Sequence, residues 1–144
     1  MDNLVRIEGP RVFTVQEVNS ILPLVIKWTR NAKRQVDVLK YEFDQLDLSE
    51  EERRSHLLQQ MDEIFSQWEQ KLIRMGAKPS GTWVADFDFG EGYYCWKYPE
   101  PEILFWHGYE DGLSGRRSVR PQSPVVSVPN ESRPWPDQSC SRGL

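Results

Sequence analysis

The chain has 144 residues, of which 38% are hydrophobic and 28% charged, and carries a net charge of -4; this suffices for one domain and leaves no room for the two substantial cores of a multidomain enzyme. Six tryptophans and an aromatic content of 12% exclude a fibrous or wholly disordered protein. The longest apolar run, Ile21 to Ile26, falls far short of the roughly 20 residues that cross a bilayer, and Met1-Asp2 lacks the basic-then-apolar order of a signal peptide, so a cytoplasmic location without membrane contact is expected.

The charge divides unevenly. Residues 1–79 hold 12 basic and 13 acidic side chains, residues 80–113 hold 1 and 7, and residues 114–144 hold 5 and 2. A near-neutral segment is thus followed by an acidic and then a basic one. Cys95 and Cys140 are the two cysteines, too few for a disulfide framework, which fits a reducing compartment.

The first element is a helix over about 15–46. Thr14 and Glu17 form a capping box, and Phe13 and Val18 are placed to pack as a hydrophobic staple across its start. Apolar or small residues then recur at Val15, Val18, Leu22, Val25, Thr29, Ala32, Val36, Leu39, Phe43 and Leu46. Alternating steps of three and four give a period of about 3.5 residues, that of a coiled-coil seam. Pro23 lacks the amide that would bond the Asn19 carbonyl, and a kink is expected there.

A second helix is predicted over about 50–75. Leu48-Ser49-Glu50-Glu51-Glu52 supplies another capping box and an acidic first turn. Its seam runs Leu58, Met61, Phe65, Trp68, Leu72 and Met75, broadened by Leu57, Ile64 and Ile73, and Gly76 offers a left-handed C-cap. At this spacing the Met, Phe and Trp stripe reads as core rather than as a cofactor cradle, and His56 as a surface histidine. The short link near Asp47 makes the helices antiparallel neighbours.

From Thr82 onward the pattern changes to short aromatic and β-branched runs, which predict strands at about 82–89, 92–98 and 102–107. Gly90-Glu91-Gly92 and Pro99-Glu100-Pro101 are the turns of an antiparallel meander. The middle strand has large residues on both faces, so both faces require cover. The expected fold is therefore α+β: a long antiparallel α-helical, coiled-coil-like hairpin followed by a small three-stranded antiparallel β-meander, forming one domain over 11–113. Residues 114–144, rich in Pro, Ser and Arg, read as a disordered tail. Pro121–Pro124 and Pro134-Trp135-Pro136 are polyproline-type segments within it.

Chemistry, if present, belongs to the sheet. Asp86-Phe87-Asp88 alternates carboxylates as a calcium loop does, but places phenylalanine where oxygen ligands are needed. One cysteine and one histidine in this segment fall short of a structural zinc site, and Cys95 between Tyr94 and Trp96 reads as a buried inert thiol. No metal or cofactor is therefore expected. No phosphate loop, nucleophile elbow, dinucleotide fingerprint or HExxH motif occurs, and no catalytic residue is assigned. The acidic sheet would repel phosphates, so nucleic acid is not an expected partner.

The stretch Glu100-Pro101-Glu102-Ile103-Leu104-Phe105-Trp106-His107, followed by Gly112 and Gly115-Arg116, accompanies Phe13-Thr14, Glu17, Asn19, Leu22-Pro23, Asp86-Phe87 and Cys95-Trp96. Together these resemble a bacterial family of uncharacterised proteins, domain of unknown function 2203, over about residues 11–117. The resemblance implies a helical hairpin with a small meander in a bacterial cytosolic protein; it brings no activity, substrate or cofactor.

Two functional expectations stand. The first is a non-catalytic interaction or scaffold module that forms a homodimer through its hairpin and meets an unidentified protein partner through Tyr94, Trp96 and Trp106. The alternative is a small polar-ligand-binding protein or minor enzyme using Asp86, Glu102, His107 and Arg116. The same four residues also admit a structural reading, in which Arg116 bridges carboxylates and pins the segment from Gly108 to Arg116 on the sheet.

Overall fold

The structure, a computed structural model, describes residues 11–119. The first helix, α1, spans Val15–Gln45. The Glu17 amide donates to Thr14 Oγ1 (3.1 Å), and the Thr14 amide donates to Glu17 Oε1 (2.8 Å). Phe13 and Val18 are both buried beside this box, which is the staple geometry. Pro23 lies inside α1, and the helix continues through it without a break. Asn19, one turn earlier, turns its side chain outward from the helix and accepts the Ile103 amide at 2.8 Å.

The second helix, α2, spans Glu51–Arg74. Its expected capping box does not form. Glu50 is the N-cap and makes no side-chain cap bond; the helix is entered instead through a turn in which the Glu50 amide donates to the Asp47 carbonyl. Gly76 adopts φ +96°, completing the left-handed exit. Arg53 pairs with Glu42 and Trp68 with Thr29 across the hairpin, so the helices run antiparallel. His56 is exposed.

The sheet has five strands where three are predicted. In chain order they are β1 (Lys78–Gly81), β2 (Val84–Asp88), β3 (Tyr93–Lys97), β4 (Phe105–His107) and β5 (Arg117–Ser118), an antiparallel meander in that spatial order. Strand β1 reads as a turn because it is Lys-Pro-Ser-Gly, yet an edge strand tolerates proline, having one side without ladder bonds. Strand β5 is two polar residues, too short to carry a pattern. The fold accordingly runs through Val119, whose amide donates to the Leu104 carbonyl. Its boundary lies beyond residue 113, and the 114–119 segment belongs to the domain rather than to the tail. The expected tail from 120, with its polyproline-type segments and Cys140, lies outside the described residues.

One sheet face packs on the hairpin. Val18, Leu22, Val25, Trp68 and Leu72 from the helices meet Ala85, Phe87 and Trp96 from the sheet and Ile103 from the β3–β4 connection in a single core. Trp96 is therefore an internal residue and not partner surface; its indole donates to the Glu100 carbonyl. Tyr94 and Trp106 are half-buried, Tyr94 stacked on Phe89 and Trp106 set edge-on to the same ring. Trp83 occupies the β1–β2 turn at φ +59°, held by edge contacts to Phe65 and Trp68. A tryptophan in the left-handed region carries no turn signature in sequence.

Candidate functional site

The face of the sheet turned away from the helices holds the chemistry. Asp86 pairs with Cys95 across β2 and β3, and Cys95 with Phe105 and Tyr93 with His107 across β3 and β4. Alternation along each strand places Asp86, Cys95 and His107 on one face, because residues two apart point the same way. All three are buried, at 3%, 0% and 4% exposure. Their ligand-type atoms lie within 4.8 Å of one another.

His107 Nε2 stands 3.3 Å from Asp86 Oδ2. Its Nδ1 lies 2.8 Å from the Gly108 carbonyl oxygen, which accepts only, so Nδ1 carries a proton. Asp86 Oδ1 is buried and has no hydrogen-bond partner. Burial, followed by the charge of the Asp86 carboxylate and its hydrogen bond with the thiol, pushes the Cys95 thiol up to about 12, with Arg116 opposing. The neutral thiol is thus the form that the protein environment favours at neutral pH.

The segment from Gly108 to Arg116 forms a strap over this face. Asp111 Oδ2 accepts the Gly108 amide at 3.1 Å, and the short 3-10 turn Leu113–Gly115 (η1) leads into Arg116. Arg116 Nη2 donates to both Glu100 carboxylate oxygens (2.7 and 2.8 Å) and to the Cys95 carbonyl (3.2 Å), while its guanidinium covers Phe105 at 4.1 Å. Tyr109 bonds Asp88 at 2.7 Å and packs edge-on to Tyr93. The Asp88 hydrogen bond holds the Tyr109 hydroxyl above its ordinary range. Gly92 admits the close approach of the His107 segment: a Cβ there would meet the His107 carbonyl oxygen at 2.6 Å.

Of the four residues expected to converge, the structure joins Asp86 and His107 and sets Arg116 beside Cys95. Glu102 is exposed and takes no part. The carboxylate that Arg116 grips is Glu100, which the sequence reading passes over as a turn residue. That turn directs it inward: the Glu100 amide bonds the Lys97 carbonyl and its carboxylate accepts the Lys97 amide. Cys95 joins the cluster through strand register alone. The signal available in sequence is the hairpin centred on Gly90-Glu91-Gly92, which sets Asp86 opposite Cys95.

Among the described residues, no helix is long and apolar enough to cross a membrane. No curated protein and no solved structure matches the chain. The sequence model of a family described as an uncharacterized conserved protein, DUF2203, matches residues 11–119, and the chain belongs to that family.

Proposed function

We propose that this protein is a non-catalytic cytoplasmic interaction or scaffold module that self-associates through its helical hairpin. The supporting observation is that burial thins along the apolar seam away from the sheet, although Leu57 in the distal half is fully buried and takes the inward place expected of Leu58. Val18, Leu22, Val25 and Thr29 are fully buried where the sheet backs the hairpin. Val36, Leu39, Phe43, Leu46 and Met61, farther along the same seam, are only half-buried. Val38, Tyr41, Leu48 and Leu58 in that half are exposed. At 31 residues α1 is about 46 Å long, whereas five-residue strands reach about 17 Å. One copy of the sheet cannot cover the hairpin, and a second hairpin completes such a seam as a four-helix bundle.

Sedimentation velocity across a concentration series tests this reading. The expected result is a concentration-dependent shift from monomer to dimer, weakened at least tenfold in the Val38→Glu, Leu58→Glu double variant, whose altered side chains are exposed in the single chain. A monomer at every concentration would overturn it.

A further inference from the structure

We propose that Asp86, Cys95 and His107 form a zinc site that ties β2, β3 and β4 together beneath the strap. The three residues supply carboxylate oxygen, thiolate sulfur and imidazole nitrogen, a donor set that suits zinc and not magnesium or calcium. They come from three adjacent strands whose register is fixed by the ladder. Zinc bound at about 2.0–2.3 Å holds neighbouring tetrahedral ligands about 3.5 Å apart. Asp86 Oδ2 and His107 Nε2 already stand 3.3 Å apart, and all three ligand atoms lie within 4.8 Å. Closing the set around an ion therefore needs shifts of about 1 Å.

Two further features point to a missing partner for this cluster. Asp86 Oδ1 is a buried carboxylate oxygen without a hydrogen bond, and leaving such an atom unpaired is costly unless something occupies the space it faces. The His107 ring is oriented as a metal-bound histidine is. Its Nδ1–H is committed to the Gly108 carbonyl, which in a neutral ring directs the Nε2 lone pair at Asp86 and the interior of the cluster. The charges also balance. Asp86 carboxylate and Cys95 thiolate neutralise a dication, while Arg116 is already neutralised by Glu100.

Binding forms a zinc–sulfur bond and releases the Cys95 thiol proton to solvent, with no change of oxidation state. Three protein ligands leave the fourth position of a tetrahedral ion without a protein donor. Because the site is enclosed, the ion enters as the sheet forms or when the strap lifts, and its binding is read out as stability.

Cobalt(II) is the probe. The full chain is stripped of metal with a chelator in denaturant, refolded, and titrated with cobalt and then zinc. The expected result is a thiolate-to-cobalt charge-transfer band with intense tetrahedral d–d bands, saturating at one ion per chain and abolished by zinc. Cys95→Ser removes the charge-transfer band, Asp86→Asn and His107→Gln each weaken cobalt binding at least tenfold, and Glu102→Gln leaves it unchanged. Zinc also raises the Tm of the wild type above that of the stripped chain. A refolded wild type with native circular dichroism that gives only the spectrum of aqueous cobalt, and a Tm indifferent to zinc, would overturn the proposal whatever the folding of the variants.

Discussion

Thr29 shows how one hydroxyl fixes the register of the hairpin. It occupies a seam position that the heptad pattern reserves for apolar side chains, and it is fully buried. Its Oγ1 accepts the Trp68 indole N–H at 2.7 Å and donates to the Val25 carbonyl at 2.7 Å. Replacement by the isosteric valine leaves the indole N–H buried without an acceptor, at a cost of about 1–3 kcal/mol. Urea denaturation checks this: Thr29→Val should lower stability by that amount in the wild type and by less than half as much in a Trp68→Phe background, whereas equal losses would mean that the bond contributes nothing. The sequence marks Thr29 as a seam residue but not as a hydrogen-bond donor and acceptor, because Trp68 is 39 residues away and only the packed hairpin brings them together. The same limit explains why the sequence points to Glu102 and not to Glu100 as a member of the candidate cluster. Both flank Pro101, and which one turns inward is decided by the loop backbone rather than by any periodicity.

At the scale of elements, legibility followed the length of the repeat. Two long helices carry ten and six seam positions, and their predicted ends fall within one residue of those observed. The sheet core was legible as well, since glycine and proline turns punctuate aromatic runs. Its edges were not, because β1 contains proline and glycine and β5 has two residues, lengths at which alternation conveys nothing. The strap is held by the Arg116–Glu100 pair, whose side chains are 11% and 16% exposed, together with the Tyr109–Asp88 hydrogen bond. Removing one partner of an enclosed pair leaves the other charge without compensation, which costs about 3 kcal/mol. Arg116→Ala should therefore lower stability by about that amount and expose Cys95 to thiol reagents in the metal-free chain. Glu102→Ala should stay within about 0.5 kcal/mol of wild type, as an exposed side chain outside the network. Chemical denaturation with parallel alkylation measures both, and similar losses in the two variants would show that the strap is secured by something other than this pair.

The whole molecule is lopsided in both packing and charge. Its core lies where the helices meet the sheet, and the net negative charge concentrates in residues 80–113, while the hairpin is close to neutral. A neutral hairpin can meet another copy of itself without the repulsion that two acidic sheets would impose. Exposed ion pairs such as Lys33–Asp37 and Lys40–Asp44 line α1 and contribute only about 0.3–0.5 kcal/mol each, so they do not substitute for apolar cover. Burying a leucine- or valine-sized side chain contributes about 1.5–3 kcal/mol, against an association cost of about 4–15 kcal/mol. Covering a handful of half-buried seam residues can thus offset that cost with a modest surplus, so the proposed dimer is expected to dissociate on dilution. Folding and association are then linked, and each tenfold rise in protein concentration should raise the Tm by about 3 °C. Thermal unfolding over a hundredfold concentration range reads this directly. A Tm that does not move would show that the distal hairpin is stable in the single chain, and would count against the proposed self-association.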